Sequence, residues 1–198
     1  MVGYNVFLYF YIFFYFFFFI IKQTIGESAG GNLAAAITAR NYDLDYVSLE
    51  DRIPINGLLL IYPPLSCQFH TQSYLIYKNY NPLLTKLGMI KGWKLYQEGH
   101  HIDYNSNILE NPITNYTFQP LLTSSLILNQ FPLTLFIIAK YDILQDDSLL
   151  FADRLRSLHV PVDVTIYNGT THGFFGKFSS VAITSIITAS QKLVQIEI

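Results

Sequence analysis

Short runs of consecutive apolar residues, each bounded by Gly, Pro or Asn, recur along this chain and alternate with segments of helical spacing. Ile55–Tyr62 (INGLLLIY) is closed by Pro63-Pro64, Leu133–Ala139 (LTLFIIA) is introduced by Pro132, and Val162–Tyr167 (VDVTIY) is followed by Asn168-Gly169. Runs this short with breakers at their ends predict buried strands rather than helices, and the Asn-Gly pair predicts a turn. Between them, Ala29 to about Arg40 is alanine-rich and predicts a helix with small residues facing a sheet. Asp146 predicts the cap of a second helix that places Leu149, Ala152, Leu155 and Leu158 on one face. Asp146 and Asp147 at its start, with Arg154 and Arg156 near its end, complement the helix dipole. Phe178 to about Gln195 predicts a closing helix. Strands alternating with helices imply an α/β fold with a mostly parallel sheet and flanking helices. From Leu65 to about Phe131 the pattern loosens into Tyr, Asn, Pro and Ser with brief apolar bursts, which predicts a cap-like insertion at about 65–131.

The first 21 residues break this rhythm. Val6–Ile21 is an unbroken run of 16 apolar or aromatic residues between Asn5 and Lys22, and 12 of the first 21 residues are Phe or Tyr. A lipid-spanning helix needs about 20 apolar residues, so the run is short for an anchor, and it lacks the basic start and small-residue cleavage site of a secretory signal. The next predicted strand, which needs about five residues, must draw on Phe19–Ile25 and competes with an anchor for the same positions. Two readings therefore stand: membrane association through residues 1–21, or a buried strand preceded by low-complexity sequence. The division expected is a Phe/Tyr-rich apolar segment at 1–18 and an α/β domain at 19–198.

Composition narrows the partners. Twelve Lys and Arg against fourteen Asp and Glu give a net charge of −2 over 198 residues, with no basic run, so no nucleic-acid partner is expected. Cys67 is the single cysteine, which excludes an internal disulfide and a cysteine-based zinc site.

Gly26-Glu27-Ser28-Ala29-Gly30-Gly31 supplies the chemistry. It fits Gly-x-Ser-x-Gly, in which a serine sits on a strained strand-to-helix turn, and both flanks have the required character. A serine hydroxyl needs a histidine to take its proton, and the histidine needs a carboxylate to fix its tautomer. On an α/β scaffold the three occur in the order Ser, acid, His, each after a strand. Asp142 follows the strand ending at Ala139, and His172 follows the strand ending at Tyr167. Asp146 and Asp147 are rival acids, but their place suits a helix start. His70, His100, His101 and His159 are rival bases, and none follows a strand end in the required order.

With these residues in view, Gly26–Ala36 (GESAGGNLAAA) resembles the nucleophile motif of the hormone-sensitive-lipase-like branch of the α/β-hydrolases. Tyr141–Asp147 (YDILQDD) resembles its acid motif, and His172-Gly173-Phe174 its histidine motif. Leu60-Ile61-Tyr62-Pro63 and the cap-like middle fit the arylacetamide deacetylase and neutral cholesterol ester hydrolase members of that branch. The resemblance implies the C-terminal part of an α/β-hydrolase fold that cleaves carboxylic esters, sometimes amides, of apolar acyl substrates, with no cofactor and no metal. It implies that Ser28 attacks the carbonyl, His172 acts as base and then acid, Asp142 orients His172, and the backbone N–H of Ala29 donates to the oxyanion. Glu27 is then either a support to these groups or a residue of purely structural value.

The branch also carries a His-Gly-Gly motif well upstream of the nucleophile, which completes the oxyanion hole. Here 27 residues precede Ser28, and the first histidine is His70. The expectation is an N-terminally truncated member whose first strand is an apolar edge. Losing one oxyanion donor lowers turnover about 10²–10³-fold, so an impaired hydrolase or a hydrolase-like binding protein is the alternative. A membrane-tethered structural fragment is a third reading, carried by the Phe-rich run alone. The sequons Asn115-Tyr116-Thr117 and Asn168-Gly169-Thr170, with the resemblance, lean weakly toward the endoplasmic reticulum.

Overall fold

Every residue of the strand Gly57–Ile61 is buried, and its neighbours in the sheet explain why. The computed structural model describes residues 23–98, 113–176 and 180–194. Four strands form one parallel sheet in the order β1 (Gln23–Glu27), β2 (Gly57–Ile61), β3 (Leu133–Tyr141) and β4 (Val162–Thr171). The helices are α1 (Ala29–Tyr42), α2 (Gln72–Ile76), α3 (Lys86–Glu98), α4 (Ser125–Leu128), α5 (Gln145–Ser157) and α6 (Ser180–Val194), with a 3₁₀ turn at Pro120–Leu122. The α/β architecture read from the alternating pattern is the one the chain adopts.

Successive strand side chains point to opposite faces, so an unbroken apolar run requires a sheet covered on both sides. Leu58 and Leu60 of β2, with Phe136 and Ile138 of β3, pack on one side against Ala35 and Ala39 of α1 and Phe151, Ala152 and Leu155 of α5. Leu59, Ile61, Leu135 and Ile137 point the other way, onto Ala189 of α6 and onto Phe174 in the loop after β4. The alanines matter because a helix with small residues on its inner face can lie close to the sheet. Leu65, Leu121, Leu128 and Phe131, near the two ends of the long β2–β3 connection, belong to the first core. Within that connection Tyr74 joins Ile143 and Leu144 in a small third cluster beside the loop after β3.

Two local expectations fail for tertiary reasons. Leu144, not Asp146, stands at the N-cap of α5, and no side chain caps that helix. The Asp146 carboxylate instead accepts the Ser73 N–H at 2.8 Å. Asn168-Gly169 makes no turn: β4 runs through it to Thr171, with Gly169 at φ 75° and a register shift opposite Ala139–Tyr141. A bulge there re-aims the strand end, and pairing resumes at Tyr141 and Thr171, the residues just before Asp142 and His172.

The apolar run at 6–21, the histidines His100 and His101 and the start of the expected closing helix lie outside the described residues. Among the described residues no helix is long and apolar enough to cross a membrane.

Candidate active site

All four strands run in one direction, so their carboxyl ends share one edge of the sheet, and each delivers one residue to a single cluster. Ser28 follows β1, Tyr62 follows β2, Asp142 follows β3 and His172 follows β4. The carboxyl edge of a parallel sheet is where α/β folds place their sites.

Ser28 sits on a sharp turn at φ 51° and ψ −121°, a left-handed conformation that a serine adopts only under constraint. The constraint is visible on both sides. The Ser28 N–H donates to the Ile61 carbonyl at 2.9 Å, continuing the β1–β2 ladder, while Gly31 and Asn32 donate back to the Ser28 carbonyl to begin α1. A Cβ on Gly26 would lie 2.1 Å from the Gly30 carbonyl oxygen, and one on Gly31 would lie 2.8 Å from the Pro63 side chain. A Cβ on Gly30 would meet nothing within 4 Å. Small residues are thus sterically required at 26 and 31, but contact does not explain Gly30, although the Gly-x-Ser-x-Gly pattern treats it as equivalent.

The Ser28 hydroxyl lies 2.8 Å from His172 Nε2. His172 Nδ1 lies 2.7 Å from Asp142 Oδ2. The Asp142 side chain is fully buried and the His172 side chain is 10% exposed. The other Asp142 oxygen accepts the Leu144 N–H at 2.9 Å, and Asn81 donates to the His172 carbonyl at 3.1 Å. An acceptor-only carboxylate on Nδ1 fixes the tautomer: Nδ1–H donates to Asp142, and Nε2 is left to accept the Ser28 hydroxyl proton. In such a chain an imidazole can take a hydroxyl proton while a water-shielded carboxylate stabilises the resulting cation.

The remaining expected residues fall around this chain. Ala29 is the first residue of α1, where a helix N–H has no intrahelical acceptor. The Glu27 carboxylate accepts a hydrogen bond from the Tyr62 hydroxyl. Asp147 is fully buried but away from the imidazole, accepting the Leu65 and Ser66 N–H groups at 2.7 and 3.0 Å. Burial pushes its carboxyl up to about 7; the two N–H groups oppose that rise, and the charges of Asp142 and Asp146 add to it. His70 and His159 are exposed. Burial, followed by the nearby Asp147, pushes the Cys67 thiol up to about 12, so it is a poor nucleophile near neutral pH.

Sequence reasoning missed Tyr62, Asn81 and Asn32. Asn32, buried in α1, donates to the carbonyls of Pro64 and Phe118 at 2.9 Å each and ties the elbow helix to both ends of the long connection. An amide directly before the run Leu33–Ala36 of α1 was the available signal.

A protein-family model described as alpha/beta hydrolase fold matches residues 24–176. The chain belongs to that family. Among curated relatives, arylacetamide deacetylase of Bos taurus is 29% identical over 196 residues, covering 75% of the chain and 47% of the relative. Neutral cholesterol ester hydrolase 1 of Bos taurus is 26% identical over 197 residues, with the same coverage of 75% and 47%. An esterase structure from Pyrobaculum calidifontis superposes with a TM-score of 0.63 at 26% identity, over 88% of this chain and 51% of that one. The chain spans about half the length of the curated relatives it matches.

Proposed function

We propose that the chain is a serine carboxylic-ester hydrolase acting on apolar acyl esters, with amides as a lesser class. The observation that carries this reading is the continuous hydrogen-bonded chain Asp142–His172–Ser28, at 2.7 and 2.8 Å, at the carboxyl edge of the sheet. Relatives named as an esterase, a cholesterol ester hydrolase and an arylacetamide deacetylase support the reaction class. Ser28 Oγ attacks the acyl carbonyl while His172 Nε2 takes its proton, and the same proton is returned to the leaving oxygen. A water activated by His172 then releases the acyl group. Asp142 holds the imidazole in the accepting tautomer. The Ala29 N–H, at the positive end of α1, donates to the oxyanion. The insertion at about 65–131 is read as supplying the cap over the acyl group, apart from Leu65, Leu121, Leu128 and Phe131, which pack in the sheet core. No cofactor or metal enters the scheme.

Labelling by a fluorophosphonate probe tests the reading. The chain is expected to label and the Ser28→Ala variant to remain unlabelled; equal labelling of both would sink it. A chain that fails to label while still binding apolar esters would support the alternative of a hydrolase-like binding protein.

A further inference from the structure

We infer that Tyr62 is a positioning residue that couples the nucleophile turn to the histidine loop, so that the Ser28–His172 distance is set through its hydroxyl and ring together. This rests on the hydrolase reading of the same site and adds to it a group absent from the Ser–His–Asp scheme. Tyr62 is the first residue after β2, 1% exposed, and lies in the left-handed region at φ 36°. A non-glycine residue holds that conformation only where its surroundings over-determine it. Its N–H donates to the Ile137 carbonyl at 2.8 Å, which fixes the backbone to β3. Its ring centroid is 4.5 Å from that of His172 and 5.6 Å from that of Phe174. Its hydroxyl accepts the Phe175 N–H at 3.1 Å and donates to the Glu27 carboxylate.

These contacts form a strap between two loops. At one end is Glu27, adjacent to Ser28; at the other is Phe175, three residues after His172. Glu27 is a charged acceptor, so the Tyr62 hydroxyl proton is committed to it, and the oxygen lone pairs are left for Phe175. Burial first, then the hydrogen bond and charge of Glu27, push the phenol well above its ordinary range, so it stays a donor at every working pH. The ring meanwhile forms one wall against the imidazole. Without the hydroxyl, the histidine loop keeps the ring contact but loses its tie to the turn bearing the nucleophile. A displacement near 1 Å between reacting groups lowers turnover about a hundredfold.

The test uses the full chain with ¹⁵N-labelled histidine and follows the deshielded Nδ1–H proton of the imidazole bonded to Asp142, assigned by its loss in His172→Ala. Tyr62→Phe is expected to shift or abolish that resonance and to slow probe labelling about tenfold to a hundredfold, with KM for a p-nitrophenyl ester little changed. Glu27→Ala should act in the same way, and Glu27→Gln, which still offers an acceptor oxygen, should restore the resonance. A hydroxyl of merely structural value would lower the melting temperature and leave the resonance unmoved, and that result overturns the proposal. Should Tyr62→Phe fail to fold, Glu27→Ala decides alone, since the Glu27 residue is exposed. A resonance that responds as expected in a chain that never labels would uphold the strap and refute the hydrolase reading instead.

Discussion

Around Ser28 the chain is held by backbone crowding, whereas around Asp142 it is held by carboxylates. The Ser28 turn lies at the β1 edge of the described sheet, with Ala29 and Gly30 exposed, and its geometry comes from glycines whose missing side chains let β1, α1 and Pro63 meet. The acid loop is buried between β3 and α5. Asp142 binds His172 and the Leu144 N–H, Asp146 binds the Ser73 N–H, and Asp147 binds the Leu65 and Ser66 N–H groups. Ser73 also donates its hydroxyl to the Ile143 carbonyl at 2.6 Å. One side therefore tolerates little added volume and the other tolerates little loss of its hydrogen-bond acceptors. That difference orders the substitutions that would separate them.

The largest effect is expected on the charged side. Asp142→Asn keeps the shape but places an amide against Nδ1, which lets the imidazole adopt the tautomer that cannot accept the Ser28 proton. Turnover of a p-nitrophenyl ester should fall about 10⁴-fold. Retained turnover would remove Asp142 from the mechanism and return Asp146 and Asp147 as candidates.

The next effect sits just beyond that loop, in the first turn of α5, and reads out as stability. Asp147 has a folded value of about 7 against 3.8 for an unperturbed group, so the folded state holds a proton that the unfolded state has already lost. A carboxyl shifted upward favours folding while protonated. Its contribution is therefore intact below about 4, declines as pH rises through the interval, and levels off above about 7. Urea unfolding is expected to show stability falling by a few kcal/mol between pH 4 and 7. Asp147→Asn should flatten that slope, since the amide cannot ionise while its oxygen still accepts from Leu65 and Ser66. An unchanged slope would mean that other groups carry it.

The same contrast explains what could be read from the sequence. The strands, the serine turn and the order of Asp142 and His172 were legible because each rests on neighbouring residues: an apolar run, a breaker, a glycine beside the serine. The carboxylate side was legible only as far as Asp142. Asp146 and Asp147 have the local pattern of helix-start acids, yet their partners are Ser73 and Leu65, 73 and 82 positions away. Tyr62 reads as the end of a strand, and its contact with Phe175 spans 113 positions. Asn168-Gly169 carries a strong turn signal, and pairing with β3 overrides it by absorbing the glycine as a bulge. Local chemistry marked Ser28, Asp142 and His172 as candidates, while the residues that hold them depend on contacts across the fold.

The last and smallest effect is a pair of glycines on the crowded side. In Gly26→Ala the new methyl would lie 2.1 Å from the Gly30 oxygen and 2.4 Å from its carbonyl carbon, all backbone, so β1 and α1 must separate. Overpacking of this kind costs about 3 kcal/mol at the upper end of its range, measurable by urea unfolding, and probe labelling should fall with it because the Ser28 turn is the part that moves. In Gly30→Ala the methyl enters open space in the first turn of α1. There it restricts only the unfolded chain, and stability should hold or rise by about 0.5 kcal/mol. Two glycines four positions apart in one motif should thus respond with opposite signs. Equal losses at both would show that the turn is held by backbone freedom at each glycine rather than by the contact of Gly26 with the start of α1.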